Sequence, residues 1–463
     1  MKVESLTKFS GLFFLSLFLA CSSDDNVTIV DEIEPEEEVI EEEVREPEPE
    51  VPAETVYPIE GETGTILFKN TTLTKEGYVL FNETSDSRAY LMEKDSALIV
   101  HEWELEYNLG NDAELLSNGK LLVSLRTENP DFSFGGFGGV IQLINPDSSV
   151  DWEFTYASEE HIIHHDVEML PNGNILALVW DLRSTEELEA IGYIGEDEKV
   201  YTESIIEINP VIDEIVWVWD SWDHIVQDTD DSKPRFGVIS EHPELININY
   251  IDVLRETVEP DGDIMHANGF DYDEENDIIY MTINNFSEVW VIDHSTTIEE
   301  AKLSTGGNYG KGGDLLYRFG NPAAYENTLG DRIFYNNHFP NLLENNVPGD
   351  GNILVYANGN GDSKQSVVYE LSIPSVFNLQ PNFNNELDVV WSYTRDGLHA
   401  PRVSGAVRLD NGNTLITSGT SGIIEVTGEK EVVWEFEGPG FFWRSYHYDF
   451  DSTAISFLNS DNP

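Results

Sequence analysis

The chain has 463 residues, 40% hydrophobic and 11% aromatic with ten Trp, which is ample for a packed core and excludes disorder throughout. Its 88 Asp and Glu against 24 Lys and Arg give a formal charge of −64, a field that repels polyanions and excludes nucleic acid as a partner. A single cysteine excludes a disulfide within the chain.

The first predicted element is an export signal. Lys2 and Lys8 supply positive charge, and the apolar run GLFFLSLFLA from Gly11 to Ala20 is too short to span a bilayer. The run stops at Cys21, and its surroundings resemble a bacterial lipobox, so residues 1–20 are expected to be a lipoprotein-type signal peptide and Cys21 the lipidated residue. CSSDD at 21–25 resembles the acidic signal that sends lipoproteins of the Bacteroidetes to the outer face of the outer membrane. The expected protein is an exported, surface-facing outer-membrane lipoprotein that meets the membrane only through its lipid anchor. Glu, Asp and Pro dominate residues 24–55, a composition that repels itself and buries nothing, so 21–57 is expected to be a disordered acidic tether.

From residue 76 the chain has many short runs rich in Val, Ile, Tyr and Trp, bounded by Asn-Gly or Asp-Gly pairs. The pairs recur in one context: LSNGKLLVSL at 116–125, LPNGNILAL at 170–178, GDGNILVYANG at 349–359 and LDNGNTLIT at 409–417. Such pairs tolerate the positive φ of tight hairpins, so each marks the bend between the first two strands of a unit. Units close on a strand with an aromatic residue, and Trp103, Trp152, Trp217, Tyr317, Trp391 and Trp434 count six of them. Irregular four-stranded repeats of this kind predict an all-β fold, a six-bladed β-propeller over residues 58–463, rather than the shorter, regular repeats of a β-helix. Residues 221–262 and 294–313 read as insertions that shape the mouth of a site.

Several of the 11 His fall at one place in the repeat. His164 and His165 open HHDVEMLPNGNILAL, His266 opens HANGFDYDEENDIIY, and His338 lies in FYNNHFPNLL ahead of GDGNILVYANG. The innermost strand of a blade starts near one mouth of the central channel, so these positions on neighbouring blades converge there. The recurrence H-x-[DN], His164 with Asp166 and His266 with Asn268, strengthens the equivalence. Convergent imidazoles serve as bases, nucleophiles or metal ligands, and spacing alone does not choose among them. His224 in SWDHIVQDTDD reads as part of a polar loop, and His294 and His399 as structural.

The ordered series HHDVEMLPNGN, DIMHANGFDYD, INNFSEVWVIDHST, a His ahead of GDGNILVYANG, and VSGAVRLDNGNTLIT resembles the bacterial arylsulfotransferase family over roughly residues 88–446. The resemblance implies a six-bladed propeller that uses no cofactor and moves a sulfuryl group from a small aryl sulfate donor to a phenolic acceptor. It implies that His338 carries a transient sulfohistidine, that His266 positions the sulfate or handles the phenolic proton, and that His164 or His165 lines the opposite wall. Where the family has an arginine after the blade-four histidine, this chain has Asn284, an amide donor without charge. The expected substrate-binding set is Asp166, Asn268 and Asn284, with Arg402, Arg444 or Arg318 supplying the charge that Asn284 lacks. Two other readings stay open: a carbohydrate-active propeller such as a polysaccharide lyase with His266 or His338 as base, and a non-catalytic surface lipoprotein that captures glycans.

Overall fold

The Asn-Gly pairs of the recurring hairpin context form the turn that their backbone chemistry favours. In the hairpin after Met169, Gly173 takes φ 85°, its N–H reaches the Leu170 carbonyl at 2.8 Å, and the Asn172 side chain accepts the Asn174 N–H at 2.8 Å. Gly412 repeats this with φ 88° and a 2.9 Å bond to Leu409. A side chain at either position would have to adopt the left-handed region that glycine enters freely.

These hairpins extend into six antiparallel sheets in the computed structural model, which describes residues 57–250, 262–344, 347–359 and 364–459. The expected signal peptide, Cys21 and the acidic tether up to residue 56 lie outside the described residues. The fold is a six-bladed β-propeller. Blade two comprises Leu109–Leu115, Leu121–Arg126, Gly139–Ile144 and Val150–Thr155. Blade three comprises His161–Met169, Ile175–Arg183, Val200–Asn209 and Glu214–Asp220. Blade four is Ala267–Asp273, Ile278–Ile283, Glu288–Asp293 and Tyr317–Phe319, and blade five is Asn337–Leu342, Asn352–Ala357, Val367–Ser372 and Val389–Tyr393. Blade six runs Gly405–Arg408, Thr414–Ser418, Gly422–Val426 and Val432–Glu437.

Both ends of the described chain close the ring. Phe442–Tyr448 becomes the innermost strand of blade one, inside Tyr78–Glu83, Arg88–Glu93 and Ile99–Trp103, while Thr65–Lys69 extends blade six outward from Val432–Glu437. Closure gives partners to two strands that would otherwise present open edges.

The six aromatic residues that marked the repeats all lie in the fourth strands of their blades. Four of the tryptophans donate their indole N–H to the next blade: Trp152 to Asp213 at 2.8 Å, Trp217 to Thr296 at 3.1 Å, Trp391 to the Gly428 carbonyl at 2.9 Å and Trp434 to the Lys94 carbonyl at 3.0 Å. At about 25 cal/mol per Å2, an indole covering on the order of 200 Å2 contributes about 5 kcal/mol before entropy, against roughly 1 kcal/mol for its hydrogen bond. Burial therefore holds neighbouring blades together, and the bond sets how they sit. The largest interblade core joins blades three and four through Leu178, Trp219, Ile279, Met281 and Trp290.

The two expected insertions lie where the repeat predicted. Residues 221–262 separate blades three and four, and 294–313 separate the third and fourth strands of blade four. His224 ties them together, with Nδ1 2.8 Å from Asp314 and Nε2 2.7 Å from the Ala301 carbonyl.

Candidate functional site

Five innermost strands break register at the same height. The shifts fall between Leu109 and Ala113, His164 and Val167, Ala267 and Gly269, His338 and Pro340, and Phe442 and Ser445. A bulge re-aims side chains that a regular pleat would bury between blades. His165, His266 and Phe339 take φ values of 54°, 54° and 49°, strained for such residues and characteristic of functional sites.

His165, His266, His338 and Trp443 meet there. The His165 ring stands edge-on to His266 at 4.8 Å between centroids and lies 5.5 Å from Trp443, which is 5.9 Å from His338. His164 sits behind them, fully buried and stacked on Trp180 at 3.8 Å with 7° between planes. Its Nδ1 is 2.8 Å from His165 Nδ1, and its Nε2 is 2.9 Å from Glu203. Burial lowers the pKa of both imidazoles well below the usual histidine value, with the neighbouring His266 lowering each further.

His266 is the most open of the four, with 22% of its side chain exposed, and its Nδ1 is bound to Asp263. His338 is 4% exposed, and its Nδ1 is 2.7 Å from Asn358 Oδ1. The Asn358 amide is spent on the Ala400 and Val403 carbonyls, both at 2.8 Å, so its oxygen faces the imidazole and Nδ1 carries the proton. The lone pair is therefore on Nε2, where it accepts the Val403 N–H at 3.2 Å. Burial pushes the His338 pKa down to about 3, although the Asn358 bond opposes the shift, so the ring is neutral at physiological pH.

The residues expected to bind substrate are mostly committed to one another. Arg444 and Asp166 form a bidentate pair at 2.9 and 2.8 Å, both buried, with the guanidinium 3.8 Å from the Phe339 ring centre. An added Cβ at Gly269 would collide with Arg444, so the bare backbone there lets the guanidinium cross the channel. Arg318 is likewise consumed by Glu288 and cannot stand in for the charge that Asn284 lacks. Asn268 donates to the Asn337 carbonyl at 2.9 Å and accepts from Thr282 at 2.7 Å, a tie between blades four and five. Asn284 is half-buried with one long contact, 3.4 Å to the Asn337 carbonyl, and Arg402 is exposed beside Val403.

Beyond the Arg444–Asp166 pair, a cavity of about 620 Å3 opens among Glu114, Glu168, Asp271 and Tyr446, ringed by the hairpin turns at the other end of the inner strands. Burial and mutual repulsion raise these carboxyls, Glu114 to about 7 and Asp271 to about 8. Among the described residues, no group of three His, Cys, Asp or Glu is arranged to hold a metal ion.

Sequence reasoning missed Glu203, Asp263, Asn358, Val403 and Trp443. Glu203 was detectable as an acidic residue in the otherwise β-forming run VYTESIIEIN, and Asp263 as the D-x-x-H that precedes His266. Val403 contributes only its backbone, which no side-chain pattern announces.

The model of the arylsulfotransferase (ASST) family matches residues 83–456. No curated protein matches the chain. Similar solved structures include a protein of unknown function from Bacteroides caccae, 14% identical over 80% of this chain and 98% of that one, with a TM-score of 0.45. The β-propeller domain of Cps50 (Swd1) from Myceliophteria thermophila is 10% identical over 86% and 96%, with a TM-score of 0.41. A functionally unknown protein from Desulfotomaculum acetoxidans is 10% identical over 79% and 98%, also at 0.41.

Proposed function

Since the chain belongs to the arylsulfotransferase family, we propose that its channel histidines move a sulfuryl group from an aryl sulfate to a phenolic acceptor in two steps, with His338 as the transient carrier. The observation that supports this most is the state of His338: a neutral ring whose proton is pinned on Nδ1 by Asn358, so that Nε2 holds an electron pair. That pair attacks sulfur, the S–O bond breaks with its electrons leaving on the aryl oxide, and a sulfohistidine is left for the acceptor.

The Val403 N–H must first release Nε2. Val403 and the following Ser404 hold φ values of 53° and 93°, and a β-branched residue in that region costs on the order of 1–3 kcal/mol. Release of this peptide relieves strain and frees an amide donor beside the reacting sulfur.

With Arg444 and Arg318 already paired, neutral donors meet the sulfate oxygens. Trp443 Nε1 is buried without a hydrogen-bond partner among the described residues, in a ring that faces both His165 and His338. An unsatisfied buried donor costs about 1–3 kcal/mol, which a sulfate oxygen would recover. The Asn284 amide completes the neutral set, the exposed Arg402 adds the one unpaired positive charge offered to sulfate among the described residues, and fixed donors of this type stabilise charge that develops in the transition state.

The test is incubation of the purified protein with 4-nitrophenyl sulfate and a phenol. Release of nitrophenol that needs the acceptor for turnover, abolished by His338→Ala, is the expected result. Absence of release from the unaltered protein, or release that His338→Ala leaves unchanged, overturns the reading.

A further inference from the structure

The contacts around His164 form one continuous line of proton-bearing atoms. Glu203 Oε1 accepts from Trp180 Nε1 at 3.1 Å and from the Ala267 backbone at 2.8 Å, so two donors fix one carboxyl oxygen. Its other oxygen faces His164 Nε2 at 2.9 Å, and His164 Nδ1 faces His165 Nδ1 at 2.8 Å. Two ring nitrogens at that separation share one proton, which leaves a single choice at each link. With Glu203 ionised, His164 carries its proton on Nε2, His165 carries its own on Nδ1, and His165 Nε2 is left with a lone pair. That nitrogen has no hydrogen bond to any described residue.

The rings cannot turn away from this order. Trp180 stacks on His164, and the bare Cα of Gly136 packs on the face of His165, where an added Cβ would collide with the ring. Glu203 and His164 are both completely buried, so their protons reach the channel through His165.

We infer that Glu203, His164 and His165 form a proton relay in which His165 Nε2 is the base that deprotonates the phenolic acceptor. This rests on the sulfuryl-transfer reading of the site. The acceptor O–H proton passes to His165 Nε2, the His165 Nδ1 proton to His164 Nδ1, and the His164 Nε2 proton to Glu203. The phenolate oxygen then bonds to the sulfur of the sulfohistidine, the S–N bond breaks, and its electron pair returns to His338 Nε2. Neither relay histidine becomes an imidazolium: the proton comes to rest on a carboxyl whose burial, together with the nearby Asp263, raises its pKa well above the usual range. The same burial that makes both histidines resist charging makes Glu203 accept it. His165 touches the acceptor, while Glu203 and His164 act through it as positioning and proton-holding residues.

The charged and titratable groups that face the relay are His266 and Asp263 from the approach to blade four, Asp166 beside it, His338 from blade five and Arg444 from the closing strand. A test must separate their titrations from that of Glu203, and two measurements do so. The first is rapid-mixing kinetics of Glu203→Gln with 4-nitrophenyl sulfate, followed by a phenol. The relay predicts a nitrophenol burst within about threefold of the unaltered protein and acceptor-dependent turnover lower by roughly 10²- to 10⁴-fold, the range for loss of a general base. Equal loss in both half-reactions overturns the relay and leaves Glu203 a structural residue.

The second needs no catalysis: infrared and 15N spectra of the resting protein as a function of pH. The relay predicts that a protonated-carboxyl band absent from Glu203→Gln disappears with rising pH in the same step that moves the His164 proton from Nδ1 to Nε2 and the His165 proton from Nε2 to Nδ1. An imidazolium on His165 beside an ionised Glu203 overturns it. If the unaltered protein gives no nitrophenol burst, the sulfuryl-transfer reading fails by itself, and the spectra still decide whether the relay exists.

Discussion

Asp166→Ala is expected to be among the most destabilising single changes in the propeller. Arg444 has only 2% of its side chain exposed, its Nε has no partner, and beyond Asp166 its nearest carboxylate oxygen is that of Asp112 at 3.7 Å. Removing Asp166 leaves a buried guanidinium almost uncompensated, at a cost of about 3–5 kcal/mol. Asp166 also accepts the Phe270 amide at 2.8 Å and the Val167 amide at 3.1 Å, which places the loss near the upper end, about 5 kcal/mol. A transition entropy of about 2.1 cal/mol/K per residue over roughly 400 folded residues is about 0.8 kcal/mol/K, so Tm should fall by about 6 °C. Scanning calorimetry at pH 7 measures this. The double variant Asp166→Asn/Arg444→Met removes both charges, keeps an acceptor oxygen for the Phe270 and Val167 amides, and should lie within about 2 kcal/mol of the unaltered protein, because a buried ion pair and a neutral pair of similar volume are nearly equivalent. A double variant as unstable as the single one would refute the reasoning, since the cost would then belong to shape and not to a stranded charge.

His294 lies between Asp277 at 2.7 Å and Glu207 at 3.3 Å, and although burial opposes its charge, the two carboxylates raise its pKa to about 9. A raised folded-state pKa gives stability that is complete below the unfolded value near 6.5 and is lost as pH rises toward 9, on the order of 3 kcal/mol; urea titrations should show this loss in the unaltered protein and a flatter profile in His294→Ala. Trp443→Phe keeps the ring and deletes the unpartnered N–H, so kcat/KM for an aryl sulfate should fall about tenfold with Tm nearly unchanged; unaltered kinetics would remove Trp443 from the sulfate site. Cys21→Ser should move the protein from the membrane fraction to the soluble fraction and abolish labelling by a fatty-acid analogue, whereas continued membrane association would contradict the lipid-anchor reading.

Blade number and hairpin positions were legible because they rest on short-range chemistry. Asn172-Gly173, between two β-forming runs, favours a tight turn, and Trp217 marks a fourth strand because a large aromatic residue there bridges blades. Ring closure was not legible: pairing of Phe442–Tyr448 with Tyr78–Glu83 joins segments more than 350 residues apart, and nothing local specifies that partner. The same distinction holds at the site. Recurrence in the repeat brought the histidines to one mouth, but it did not separate His164, buried behind Trp180, from His165, which faces His266. That difference comes from the bulge after His164. Arg444 read as a candidate sulfate ligand because sequence shows a charge but not its partner; Asp166, 278 residues away, claims it.

The central claim is tested most directly by mixing the protein with 4-nitrophenyl sulfate in the absence of acceptor, quenching under conditions that preserve N-sulfo bonds, and analysing the peptides by mass spectrometry. A single sulfuryl group on the peptide that contains His338, absent from His338→Ala and removed by a phenol chase, is the predicted result. Nitrophenol release with no adduct on that peptide, or an adduct on His165 or His266 instead, would contradict the assignment of His338 as the carrier.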